Sequence, residues 1–544
     1  MKKKIFAVAM AACITALTGC TSGGGSQNGG KTIPTGMPDY SAYETQKVMW
    51  IGGWNPPPPK HITSEYDETY DFQTLERYRE MADCGINVGL CVYEEKTNYP
   101  EEFYKALDLA GEVGMKLLVM DYDVRPEIYD ANTTAEDLKR KTASYNEHPA
   151  FLGHHAFDEP NVEQFDSIGA LKKVYTEAFP GKNYFVNLFP SYSSSGSLGT
   201  SSGYEYYFQN YIDRVSPDLL SVDYYPLKGS ASRPVLYTGL LSNYELYAEN
   251  AKLYDIPFYA FIGTTGVTNA IRQPSIYDLR FMVNAALMFG ADGINHFTYW
   301  WPYELGAETD LTHAMIRGDG TVTQLYQDSK TVNHEVLNFD HVLMSYDWQG
   351  IMLNVGTLSE GKVSSSFKAV KHAVEKHDRI KTIESERDLA IGIFEDASGY
   401  DGFYMLNYEN PGYTDRKNKI TVTFKNADKA VIYYRGEATT VDLNNGTFTY
   451  ELEAGDAIFH RLAVLAREGG RNALCIDVRA LRIDFYGGAN LCRSLRCSLH
   501  PRLGNHGGLH ICCACAHHQC GRHQAARECA AYDFLELSHN CPST

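Results

Sequence analysis

The most reactive-looking stretch of the chain is Phe151-Leu152-Gly153-His154-His155-Ala156-Phe157-Asp158-Glu159-Pro160. Its apolar and aromatic residues spell a buried strand, and the carboxylate pair sits where Pro160 stops that strand and sets the following loop. A carboxyl group at such a place suits proton transfer, because burial and a like charge next door both raise it toward neutral pH. Glu159 is therefore the candidate general acid/base. The competing reading is a solvated acidic loop after a strand. His154 and His155 alternate along the same strand, so they face opposite sides of it, and a satisfied core position is favoured for a histidine there over catalysis.

The elements that must position these residues follow from the apolar pattern. Eight short runs read as strands: Val48–Trp54, Ile86–Tyr93, Lys116–Tyr122, Phe151–Phe157, Asn183–Phe189, Leu219–Tyr224, Pro257–Ile262 and Gly293–Tyr299. Amphipathic stretches of helical length fall between them, among them Phe72–Cys84, Ala135–Glu147, Ile276–Phe289 and Tyr326–Val342. The alternation predicts an α/β fold, a closed (β/α)8 barrel whose catalytic end is the carboxyl end of its strands. A doubly wound open sheet is the runner-up, but no G-x-G-x-x-G follows the first strand.

In a closed barrel the strand ends converge. They bring Trp54 and Asn55, Asp121 and Asp123, Asp158 and Glu159, Asp223 and Tyr225, and Tyr299, Trp300 and Trp301 to one mouth. Four of the five tryptophans, Trp50, Trp54, Trp300 and Trp301, fall on one side of it. Indole faces pack on the C–H faces of sugar rings, so Trp54, Trp300 and Trp301 are candidates for substrate contact, whereas Trp50 is expected to seal the barrel against its helices. Glycosidic cleavage uses two carboxyl groups, one protonating the leaving oxygen and one acting as nucleophile or as base toward water. Asp223 or Asp121 would be the partner of Glu159, with Glu304 a weaker choice. A second possibility is a metal-dependent hydrolase built on Asp121, Asp123 and one of the two histidines.

After about Asp347 the period changes to that of short strands, as in Ile420–Phe424, Ala430–Tyr434 and Thr447–Tyr450, with Asn445-Gly446 offering a tight hairpin turn. The expected organisation is thus a barrel over 45–347 and a linker with a small antiparallel β-sandwich over 348–463. The net charge of −18 argues against nucleic acid as a partner, while the 39 tyrosines suit a surface that stacks on sugars. No cofactor or metal is expected, and the body contains only two cysteines, Cys84 and Cys91, so it is no disulfide scaffold.

The two ends read differently. Lys2, Lys3 and Lys4 precede an apolar run from Ile5 to Leu17 that is too short to span a bilayer. The ending Leu17-Thr18-Gly19-Cys20 resembles the lipobox of bacterial lipoproteins, which implies a signal peptide over 1–19, lipidation at Cys20, a flexible tether over 20–44 and an extracytoplasmic, membrane-anchored protein. Beyond Leu462 lie nine of the 13 cysteines and no lysine. A metal-binding or disulfide-rich appendage, a disordered tail and translation in an unrelated frame compete for 464–544. The last is favoured, because the cysteine spacing matches no paired C-x-x-C site.

Taken together, the motif Phe151–Pro160, the closing segment Asp319–Tyr326 running to Val332–Glu335, and the β-rich stretch Phe403–Pro411 through Leu452–Phe459 resemble clan A glycoside hydrolases. The likeness is to barrels similar to glycoside hydrolase family 42 and family 5 enzymes, over about residues 45 to 462. The resemblance implies a glycosidase with Glu159 as its acid/base. It also implies an asparagine just before that glutamate, where this chain has Asp158, and a nucleophilic glutamate at the seventh strand. The chain reads Phe258-Tyr259-Ala260-Phe261-Ile262-Gly263-Thr264-Thr265 there, with no acid. Either the nucleophile comes from another strand, or the reaction inverts, or the barrel is a surface lipoprotein that binds glycan without cleaving it.

Overall fold

The computed structural model describes residues 48–130, 132–268, 270–303 and 310–462, and the backbone of 497–503 and 509–515. Eight parallel strands form the first sheet: β1 (Trp50–Trp54), β2 (Val88–Glu95), β3 (Lys116–Met120), β4 (Phe151–Asp158), β5 (Asn183–Asn187), β6 (Leu220–Asp223), β9 (Phe258–Gly263) and β10 (Gly293–Phe297). Their order is β5-β4-β3-β2-β1-β10-β9-β6. A parallel bridge from Leu188 to Val222 joins β5 to β6, with Leu188 N–H donating to Ser221 O at 3.0 Å, so the barrel closes. A two-stranded hairpin, β7 (Leu227–Ser230) and β8 (Arg233–Leu236), rises from the loop after β6.

Alternation along each strand decides what fills the barrel. Trp50 and Trp54 share one face of β1 and pack inside with Leu90, Leu118, Phe185 and Phe261. Ile51 faces outward, in the larger core shared with Tyr78 and Met81 of the helix Leu75–Asp83. The expectation that Trp50 seals the barrel against its helices is therefore corrected. Its ring lies in the interior, 6.0 Å from Phe185, with Nε1 donating to Asn295 Oδ1 at 2.8 Å. Gly52 makes this possible, since a Cβ there would lie 1.9 Å from that same oxygen.

The helix Ile276–Met288 is buried nearly all round because it has the barrel on one side and the second layer on the other. Its N-terminus is held by a capping box between Ser275 and Asp278. Asn284 on this helix accepts from Tyr404 Oη at 2.9 Å and donates to Gly455 O at 3.0 Å, tying barrel to sandwich. The second layer consists of a six-stranded sheet, β11-β13-β14-β19-β16-β17, and a three-stranded sheet, β12-β15-β18. Its strands are β11 (Tyr346–Asn354), β12 (Ile380–Ser385), β13 (Leu389–Asp396), β14 (Asp401–Asn407), β15 (Asn418–Phe424), β16 (Lys429–Tyr434), β17 (Glu437–Asp442), β18 (Thr447–Leu452) and β19 (Ala457–Leu462). The fold is thus a TIM barrel followed by a β-sandwich, and β11 straddles the expected 347/348 boundary.

One expected hairpin is resolved differently. Asn445 and Gly446 do take positive φ, at 51° and 80°, and Asn444 and Thr447 bridge across them. The flanking strands then part: β17 pairs with β16 in one sheet, β18 with β15 in the other. The turn is a crossing between layers, held by Phe424 N–H donating to Gly446 O at 2.8 Å.

In the tail, Cys497–Leu503 pairs antiparallel with Leu509–Cys515. The signal, the tether, Cys20, Glu304 and the rest of the tail lie outside the described residues. Among the described residues no helix is long and apolar enough to cross a membrane.

Candidate active site

β4 ends on Asp158, and the chain then turns sharply because Glu159 sits at φ 49°, a left-handed conformation that non-glycine residues rarely adopt. Neighbouring bonds hold it there: Glu159 N–H donates to Asn187 O at 2.9 Å, and Pro160 O accepts from Tyr207 Oη at 2.8 Å. Such strain costs on the order of 1–3 kcal/mol and persists where surroundings fix it, often at reactive sites. Asn187, at the end of β5, links three strands. Its Nδ2 donates to Asp158 Oδ1 at 3.2 Å, and its Oδ1 accepts from Ser221 Oγ on β6 at 2.9 Å.

The third acid is Asp223, the last residue of β6. Its Oδ1 is buried with no N–H or O–H donor in reach, and its side-chain partner is the carboxyl of Glu159. Two carboxylates that face one another in place of a cation cannot both ionise near neutral pH. Burial, then the charges of Glu159 and Asp158, push Asp223 well above the usual carboxylate range. Burial, then the charge of Asp158, pushes Glu159 up to about 7, against the opposing effect of its bond with Asp223. Burial also raises Asp158 to about 6, opposed by the Asn187 amide and the Arg125 guanidinium. Asp158 is nevertheless open to solvent in the cleft, so of the three it is the one that water most readily keeps ionised. The Glu159–Asp223 pair thus shares a proton and titrates as a unit.

Aromatic rings floor this mouth. The rings of Trp54 and His155 meet edge to face at 4.9 Å, and Trp54 also packs at 5.9 Å from both Phe261 and Phe297. Tyr225 lies 5.8 Å from Phe297, and burial followed by the nearby charge of Asp223 raises its hydroxyl. His155 faces the interior, and burial, then Arg125, lowers it to about 3. His154 faces the helices, where its two nitrogens meet Tyr145 Oη at 2.8 Å and Tyr175 Oη at 2.9 Å.

The structure therefore brings together Asp158, Glu159, Asp223 and Tyr225, with Trp54 beneath. It places other candidates elsewhere. Asp121 is a correction: instead of facing Glu159 it caps the turn Tyr122–Val124, accepts from Tyr145 Oη at 2.5 Å and pairs with Lys96 at 2.8 Å. Lys96 also holds Asp123 at 3.0 Å, so an ammonium occupies the place a metal would need between these carboxylates, and His154 is taken by tyrosines. The residues do not fit the metal-hydrolase reading. Tyr299 and Trp300 have no accessible surface; Trp300 lies 4.7 Å from Phe72 and under the Arg77 guanidinium, so it belongs to the wall. Trp301 is partly exposed, its Nε1 donating to Thr312 O at 2.9 Å. Asn55 is buried at φ 59°, its amide atoms unpartnered. Among the described residues one group, Glu245, Glu249 and His372, has metal-like spacing, but these side chains are engaged in binding the backbone N–H groups of Lys371 and His372 and one another.

Sequence reasoning passed over Asn187 and Arg125, and also Glu94. Asn187 carried a usable signal, a polar residue at the end of a barrel strand. Glu94 is fully buried, and burial pushes it up to about 7 against the backbone N–H groups of Val92 to Glu94 and the Cys91 thiol. It was hidden because β2 runs to Glu95 through a break in register after Leu90.

No family model and no curated protein matches the chain. Solved structures with a similar course of chain include a glycoside hydrolase family 5 protein from Bacteroides vulgatus, at 10% identity and TM-score 0.43 over 78% of this chain and 90% of that one. A GH30 endoxylanase from Clostridium papyrosolvens shares 10% identity at TM-score 0.37, over 77% and 97%. A β-galactosidase from Marinomonas ef1 shares 13% identity at TM-score 0.38, over 55% and 62%.

Proposed function

We propose that this protein is a glycoside hydrolase, with Glu159 and Asp223 as the two carboxyl groups that cleave the glycosidic bond of an oligo- or polysaccharide. The observation that carries this reading is their direct pairing, without any cation, above a floor of aromatic rings at the carboxyl end of the barrel. Glu159, the less enclosed of the two, protonates the leaving oxygen, and its raised carboxyl keeps a proton available near neutral pH. Asp223 lies deeper and is the second carboxyl, nucleophile or base toward water, which acts when the shared proton sits on Glu159. Carboxyl groups about 5–5.5 Å apart retain configuration through a covalent intermediate, and those about 6.5–9.5 Å apart leave room for a water and invert it, so the first-formed anomer decides which role Asp223 takes. Tyr225 and Trp54 position the sugar.

The experiment is turnover on a broad glycan panel by wild type, Glu159→Gln and Asp223→Asn, with the first-formed anomer read by NMR. Absence of turnover by the wild type, or full activity in Glu159→Gln, sinks the proposal. A second reading is favoured by the end of β9, where Thr264 donates to Thr298 O at 3.2 Å and no acid stands: a barrel that binds glycan without cutting it. New reducing ends from the wild type would eliminate that reading. The same proposal places the protein outside the cytoplasm, lipid-anchored through Cys20, which metabolic labelling with a fatty acid and loss of label in Cys20→Ala would test.

A further inference from the structure

Next to the acid pair, on the far side of Tyr225, the barrel end holds a cavity of about 140 Å³. Its wall takes Leu227 from the hairpin β7–β8, Val267 and Ile271 from the loop after β9, Met282 from the helix Ile276–Met288, and Tyr225 with Phe297 on the side of the acids. The polar side chains in that wall are Tyr225 and Thr265, and Thr265 Oγ1 is spent on Gly266 O at 3.4 Å. Five of its nine lining residues, Tyr225, Phe297, Val267, Ile271 and Leu311, are only half-buried.

A pyranose carries hydroxyls on nearly every carbon, each of which would lose its water here without gaining a partner. An apolar cavity of about 150 Å³ is enough for one benzene ring. Tyr225 sets the distance to the chemistry: it follows Asp223 by two residues, its ring rests against Gly263 so closely that a Cβ there would come within 3.1 Å of Cδ1, and Asp223 and Glu159 both act on its hydroxyl. A group entering the cavity would hang from a sugar bound at the acid pair. Resting on the glycosidase reading, we infer that the cavity is a subsite for one apolar ring or short branched alkyl group attached to the scissile glycoside. The substrate class is then an oligo- or polysaccharide that carries an aryl or alkyl substituent beside the cleaved bond.

The cavity can be tested without turnover. Phenol serves as the probe, its binding to wild type and to Glu159→Gln read by saturation-transfer NMR, with Ile271→Trp and Val267→Phe as two independent ways of filling the space. Phenol should bind wild type and Glu159→Gln alike and lose at least tenfold in affinity in whichever filled variants keep the cooperative unfolding of the wild type. Failure of phenol to bind wild type, or undiminished binding in a folded filled variant, overturns the subsite and marks the space as a packing gap. Because Glu159→Gln lacks the proposed acid, these outcomes stand apart from whether the barrel hydrolyses anything. If turnover is found, benzyl and methyl glycosides of the same sugar, whose leaving groups are alike in basicity, extend the test: wild type should favour benzyl by at least tenfold in kcat/KM, and equal values would overturn the inference.

Discussion

Two acidic clusters stand at the ends of nearby barrel strands, and they are neutralised in opposite ways. After β3, Asp121 and Asp123 share Lys96, and Asp121 also accepts from Tyr145 and from the Asp123 N–H, so its negative charge has partners on every side. After β4 and β6, Glu159 and Asp223 have one another, with Asp158 adding a third negative charge. The first arrangement satisfies buried groups and holds a turn; the second stores a proton. Burial of an acid at a barrel mouth is thus no guide to its role until its partners are counted.

The contrast predicts that the two clusters fail in different measurements. Glu159→Gln and Asp223→Asn should each lower kcat/KM by about 10³-fold or more, with thermal unfolding unchanged or raised, because each removes a group the fold holds under strain. Lys96→Met should do the reverse, leaving Asp121 buried without its cation and costing about 3 kcal/mol in denaturant unfolding. A Lys96→Met variant as stable as wild type would break the comparison, since Asp121 would then be indifferent to its partner. Loss of rate in Lys96→Met beyond its loss of folded protein would break it from the other side.

How much of this could be read from sequence depends on whether a residue's partners lie near it in the chain. All eight barrel strands were legible, because parallel strands buried on both faces are short apolar runs and the helices between them have their own period. Glu159 was legible from its neighbours alone. Asp223 stood out only as one strand end among several, and choosing it over Asp121 required knowing that Lys96, 25 residues earlier and just past the neighbouring strand β2, reaches one acid and that nothing cationic reaches the other. Trp300 and Tyr299 looked like binding residues because aromatic composition cannot say which side of a strand end a ring takes. The Asn445-Gly446 turn was read correctly as a turn, but which sheet its strands join is set by contacts with β15 and β16 far along the chain.

The next effect is one of pH. Glu159 is held near 7 in the folded protein and would sit near 4.5 in the unfolded chain, so folding takes up a proton between those values. The stability this group contributes is fully present below about 4.5 and is lost as pH rises through about 7. Glu159→Gln removes that dependence, and the variant should gain about 2 kcal/mol over wild type at pH 8 with no gain at pH 4. Over the same range kcat/KM of the wild type should fall above about pH 7, as Glu159 gives up its proton. Equal pH profiles of unfolding for wild type and Glu159→Gln would mean that the pair does not share a proton.

The smallest expected effect isolates the third charge. Asp158 accepts from Asn187 through Oδ1 at 3.2 Å, a bond that an asparagine at this position keeps through its own carbonyl oxygen. Asp158→Asn therefore removes a charge while leaving the link from β4 to β5 in place. Since the charge of Asp158 is the second cause, after burial, of the raised Glu159 carboxyl, its removal should move the alkaline limb of kcat/KM downward by less than about one pH unit, with unfolding unchanged. A limb that stays in place would show that burial alone sets the acid. A downward shift would mean that this chain keeps an aspartate where an asparagine would bind equally well because the added charge holds its proton donor poised at a higher pH.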